Sequence, residues 1–143
     1  NCGAVHSDGR RAKTVGITVE GLDKVEGLNP CLDEVIVSDY FWARKWLLIN
    51  YSHAYIFFPG GFGTLDELAE VLTLIQTDKL AKAPVIVIGK KYWADILNWA
   101  NNSALANDLA LKENFDFIIF TDDINEVLNI LLEDFKKREL IKS

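Results

Sequence analysis

The hexapeptide PGGFGT at Pro59–Thr64 follows the apolar run Ala54–Phe58 and precedes a helical pattern, and its residue types suit it to hold a phosphate. Pro59 cannot donate to a central β-ladder and biases the residue before it toward extended geometry, so it ends a strand. Gly60, Gly61 and Gly63 allow positive φ angles and carry no Cβ. Successive backbone N–H groups can therefore converge on a closely approaching anion. The helix that follows adds its unpaired amides and the positive end of its dipole, and Thr64 adds a hydroxyl. No lysine is needed. The plainer alternative is a tight strand-to-helix connection with no ligand. Neither rival glycine motif is present, since no Gly-Lys-Ser/Thr follows as in a P-loop and the spacing is not GxGxxG.

Two further groups could act on whatever the turn holds. Glu67 stands three residues after Thr64, the spacing of a capping box in which the two side chains would satisfy each other's orphan amides. The same carboxylate, one turn into a helix whose N-terminus holds a phosphate, lies about where the sugar of a nucleotide would sit. There it could orient a water or stabilise developing positive charge. Asp66 points roughly 100° away around the helix and reads as a structural partner of the dipole. Arg44 lies in the segment Tyr40–Lys45, YFWARK, where it reads either as a solvated or salt-bridged helix charge or as a guanidinium that recognises phosphate or steers a leaving base.

The scaffold that must position these groups is α/β. Strands are predicted at Thr14–Val19, Glu34–Val37, Ala54–Phe58, Pro84–Ile88 and Phe117–Phe120. The last three are apolar almost throughout, as strands covered on both faces of a parallel sheet are. Helices are predicted at Thr64–Thr77, with Leu65, Leu68, Leu72 and Ile75 on one stripe, and near Phe41–Tyr51, Lys91–Asn101 and Asp123–Arg138. Alternating strands and helices imply a Rossmann-like open parallel sheet with helices on both faces, its ligands bound at the carboxyl ends of the strands. Gly21–Pro30 is the one sizeable irregular stretch, a loop that could lie over the site. Asn1–Gly9 reads as the end of a helix stopped at Gly9, which implies a preceding segment.

Bulk properties narrow the partners. At 143 residues, half hydrophobic and a quarter charged, the chain is expected to form one globular domain. A net charge of −6 argues against nucleic acid, and the one basic run, Lys136–Arg138, suits the last turn of a helix. No stretch is long and apolar enough to span a membrane. Cys2 and Cys31 are too few for a disulfide framework or a zinc site, which points to a reducing, cytoplasmic setting. His6 and His53 are isolated and read as structural, so no metal is expected.

Together, ARK at Ala43–Lys45 and PGGFGTLDE at Pro59–Glu67 resemble the Lonely Guy family, often given a lysine decarboxylase label. The likeness runs on through TLIQTDKL, PVIVIG and KYWADILNW to the last helix, nearly the whole chain. It implies a Rossmann-like homodimer or higher homo-oligomer that hydrolyses nucleoside 5′-monophosphates, notably cytokinin riboside monophosphates or AMP, to free base and ribose 5-phosphate. It also implies Arg44 and Glu67 as the catalytic pair, Gly60, Gly61, Gly63 and Thr64 as the phosphate turn, and Lys45 as a lesser ligand contact. No cofactor is implied, and no Schiff-base lysine site for pyridoxal phosphate is recognisable. The family's first strand and a further glycine-rich loop have no counterpart here, so the chain is expected to be incomplete at its N-terminus. The competing expectation is a nucleotide-binding or sensing module without significant turnover, which would hold an intact nucleotide and release no base.

Overall fold

Runs of Val and Ile with few interrupting polar residues become parallel strands in this chain, and the amphipathic segments between them become helices. The computed structural model describes residues 12–21, 27–109, 112, 115 and 117–141, in two units that divide after Tyr51. The architecture is α/β, with parallel sheets flanked by helices, consistent with a Rossmann-like fold. The expected helix tail at Asn1–Gly9, with Cys2 and His6, and the centre of the Gly21–Pro30 loop lie outside the described residues.

In the first unit, β1 (Val15–Val19) pairs in parallel with β2 (Glu34–Ser38), from Val15 opposite Glu34 to Val19 opposite Ser38. Thr14 and Asp33 lock the start of both strands. The Asp33 carboxylate accepts the Thr14 N–H at 2.7 Å, and the Asp33 N–H reaches the Thr14 carbonyl at 2.9 Å. Cys31, just before this junction, is disulfide-bonded, a covalent tie that the low cysteine count did not suggest. Helix α1 (Phe41–Asn50) follows β2. It buries Ile49 and leaves Phe41, Trp42 and Trp46 exposed, as is Tyr40 at its N-cap.

In the second unit, β3 (Tyr55–Phe57), β4 (Val85–Ile88) and β5 (Ile118–Thr121) form a parallel sheet in that order. Helix α2 (Phe62–Gln76) makes the first crossover; α3 (Lys90–Trp99) and a π-helical turn at Ala100–Leu105 begin the second. The last helix is α4 (Ile124–Lys137), capped by Asp123, whose carboxylate accepts the Asn125 N–H at 2.8 Å. Lys136 and Lys137 occupy its last turn, as their charge favours. Arg138 pairs with Asp134 and also donates to the His53 carbonyl at 2.5 Å. His53 is thus tied through its backbone while its side chain is exposed.

Of the three strands in this sheet, β4 is the one covered on both faces. Val85, Ile86 and Val87 are 0% exposed, whereas Ile56 of β3 is exposed and β5 is half-buried over most of its length. The expectation of full cover for all three strands missed the difference between the centre of this sheet and its flanks. Leu68, Val71 and Ile75 of α2 and Trp93 of α3 complete the core. Ile86→Ala should cost about 2–5 kcal/mol in a denaturant titration, the range for emptying a site with no room to collapse. A loss below about 1 kcal/mol would show that this strand is not the centre of the core.

Candidate functional site

The chain leaves β3 through Phe58 and Pro59 and enters α2 at Phe62, two residues before the expected start. Gly61 is the N-cap, in extended backbone at φ −86° and ψ −154°, and no side chain caps the helix. Thr64 is therefore the third helical residue and Glu67 the sixth, so the capping box expected between them does not form. Asp66 falls beyond the first turn and is exposed. The first intrahelical bond runs from the Leu65 N–H to the Gly61 carbonyl at 3.1 Å. The amides before it have no intrahelical acceptor, and together with the dipole they make this terminus suited to an anion.

The glycines serve through the side chains they lack. The glycines with positive φ among the described residues are Gly21, Gly27 and Gly89, so Gly60, Gly61 and Gly63 do not use the left-handed region. A Cβ on Gly60 would collide with the Thr64 hydroxyl and lie 2.9 Å from the Thr64 Cβ. At Gly61 and Gly63 nothing lies within 4 Å of the Cβ position, which leaves both backbones open to approach. Glu67 is half-buried on α2, one turn past Thr64.

A second element braces this turn. The Tyr92 hydroxyl on α3 donates to the Gly60 carbonyl at 2.6 Å. The Tyr92 ring meets Trp93 edge-on at 5.2 Å, and the buried Trp93 donates its indole N–H to the Ile88 carbonyl at 3.1 Å. Gly89, at φ 101°, brings the end of β4 against Pro59, where a Cβ would approach the proline ring to 2.9 Å. Asp122, just past β5, accepts the N–H groups of Gly89 and Lys90 at 2.7 and 3.0 Å. The carboxyl ends of all three strands in this sheet are thereby linked. A cleft of about 300 Å³ lies between Gly60, Gly61, Phe62 and Leu65 on one side and Tyr92, Trp93 and Ile96 on the other.

Arg44 and Lys45 belong to the first unit, the turn and Glu67 to the second. Arg44 is half-buried on α1, and its Nε donates to the Ile17 carbonyl of β1 at 2.9 Å. That bond ties one nitrogen of the guanidinium to the β1 backbone. Lys45 is half-buried beside it. Tyr92, Gly89 and Asp122 were not singled out by sequence. The available signal was Gly89, a glycine between a strand and a helix like the pair at Gly60 and Gly61. Among the described residues no cluster of His, Cys, Asp or Glu is placed to hold a metal ion, and no helix is long and apolar enough to cross a membrane.

The model of a family described as possible lysine decarboxylase matches residues 1–131. A cytokinin riboside 5′-monophosphate phosphoribohydrolase of Mycobacterium tuberculosis is 42% identical over 131 residues, covering 88% of this chain and 68% of the relative. One of Arabidopsis thaliana is 38% identical over 112 residues, covering 78% of this chain and 48% of the relative. A pyrimidine/purine nucleotide 5′-monophosphate nucleosidase of Escherichia coli is 27% identical over 118 residues, or 81% of this chain and 26% of the relative. The chain thus spans about two thirds of the first relative and less than half of the other two.

Proposed function

We propose that this chain, which belongs to the possible lysine decarboxylase family, hydrolyses the N-glycosidic bond of nucleoside 5′-monophosphates to free base and ribose 5-phosphate. The observation that carries the reading is the uncapped N-terminus of α2 at Gly61, open at Gly61 and Gly63, with the Glu67 carboxylate one turn beyond Thr64. Relatives named for cleavage of nucleotide 5′-monophosphates support it. The base is that of a cytokinin riboside monophosphate or AMP, and the working form is a homodimer or higher homo-oligomer.

In this reading the turn at Gly60–Thr64 holds the 5′-phosphate and so places the ribose. Fixing the substrate in this way removes much of the entropic barrier to reaction. As the bond from C1′ to the base breaks, positive charge develops on the sugar. Glu67 stabilises that charge or orients the attacking water. The water's oxygen becomes the C1′ hydroxyl, and the departing base takes the proton. Arg44 recognises phosphate or base, with Lys45 as a lesser contact.

If the phosphate is the handle, removing it should be costly. The same nucleoside without its 5′-phosphate should show kcat/KM lower by about 100-fold or more, since charge-assisted hydrogen bonds at a helix terminus are lost. Steady-state kinetics on a matched nucleoside and nucleotide measure this directly. Equal kcat/KM for both would remove the turn from the mechanism.

A further inference from the structure

We infer that Tyr92 is a positioning residue for the phosphate turn, acting through the peptide between Gly60 and Gly61. The inference rests on the reading of that turn as the phosphate site. A peptide flanked by two glycines is the kind most free to swing, because no Cβ on either side opposes rotation about the adjoining dihedrals. The Tyr92 hydroxyl removes that freedom by holding the Gly60 carbonyl at 2.6 Å. No described peptide bond is cis, so the Gly60–Gly61 unit is planar and trans, and its N–H points opposite to its C=O. Holding the Gly60 oxygen toward Tyr92 therefore holds the Gly61 N–H directed away from it. Gly61 is the N-cap of α2, and its amide is one of those that would meet the anion.

Tyr92 can serve as a fixed point because it is itself held. It is the third residue of α3, whose first turn is tied to β5 by the paired acceptance of Gly89 and Lys90 N–H groups by Asp122. Trp93 anchors the same turn to the end of β4. Pro59 and Gly89 pack so closely that no Cβ fits between them without displacement. These contacts hold the backbone that carries Tyr92 against the turn, and the exposed Tyr92 ring is set by its edge-on contact with Trp93 and its bond to Gly60.

Tyr92→Phe keeps the ring and its packing and removes only the hydroxyl. In the full-length protein, KM for a nucleoside 5′-monophosphate should rise about five- to tenfold, with kcat within about twofold. The inhibition constant for inorganic phosphate should rise by the same factor, whereas KM for the matching phosphate-free nucleoside should not change. A merely structural hydroxyl would lower the unfolding temperature without producing this split. If wild-type protein cleaves nucleotides and Tyr92→Phe leaves KM and the phosphate constant unchanged, Tyr92 does not position the turn and the functional reading stands. The inference is equally overturned if the variant lowers kcat alone, or weakens nucleoside and nucleotide alike. Wild-type protein that neither prefers the nucleotide nor is inhibited by phosphate would overturn the reading of the turn, and Tyr92 with it.

Discussion

Glu67→Gln is expected to slow base release from a nucleoside 5′-monophosphate by about 100- to 10,000-fold, the span associated with a positioned acid or base group. The substitution keeps the shape of the side chain and removes its charge, so nucleotide affinity should stay within a few-fold. The alternative role was a capping box with Thr64, but the helix begins at Phe62 with Gly61 as its N-cap, so Thr64 does not hold the cap position. A half-buried carboxylate in the second turn of α2 with a purely structural part would affect stability and leave turnover alone. Measuring kcat, nucleotide affinity and the unfolding midpoint on one preparation separates the two. An unchanged kcat with a lowered midpoint would end the case for Glu67 as a catalytic group.

Arg44→Ala should lower kcat/KM by about 10- to 100-fold, the worth of a charged hydrogen bond to phosphate or base. Arg44→Lys should recover only part of that loss. The planar guanidinium donates in a fixed fork, here with its Nε on the Ile17 carbonyl, a geometry that a single ammonium does not reproduce. Steady-state kinetics on the three proteins test this order. Full recovery by lysine would mean that charge alone is used, and an active alanine variant would remove Arg44 from the chemistry.

Much of this was visible in the residues. The five apolar runs became strands within a residue or two, because β-branched runs between turn residues have few other ways to bury themselves. The start of α2 was misplaced because Phe62 and Gly63 look like loop, glycine being a poor helix former, and Thr64 looks like a cap. Instead the extended Gly61 backbone takes the N-cap position. Gly60, Gly61 and Gly63 offered two properties in sequence, access to positive φ and the lack of a Cβ. The structure uses only their missing side chains, a distinction that composition does not carry.

The brace formed by Tyr92, Gly89 and Asp122 was not legible, because Tyr92 lies 32 residues from Gly60 and Asp122 lies 33 from Gly89, and they meet only through strand register. Tyr92 looks like any helix aromatic until its hydroxyl is seen on Gly60. The π-helical turn at Ala100–Leu105 was likewise unforeseen, since the local pattern of ANNSAL reads equally as a fraying helix end.

The central claim is that Pro59–Thr64 holds a phosphate while the bond between sugar and base is cut, and product analysis tests it most directly. Full-length protein incubated with AMP or a cytokinin riboside monophosphate should yield free base and ribose 5-phosphate in equal amounts, one of each per nucleotide consumed. Nucleotide that stays intact, or that yields nucleoside and inorganic phosphate instead, would contradict the account.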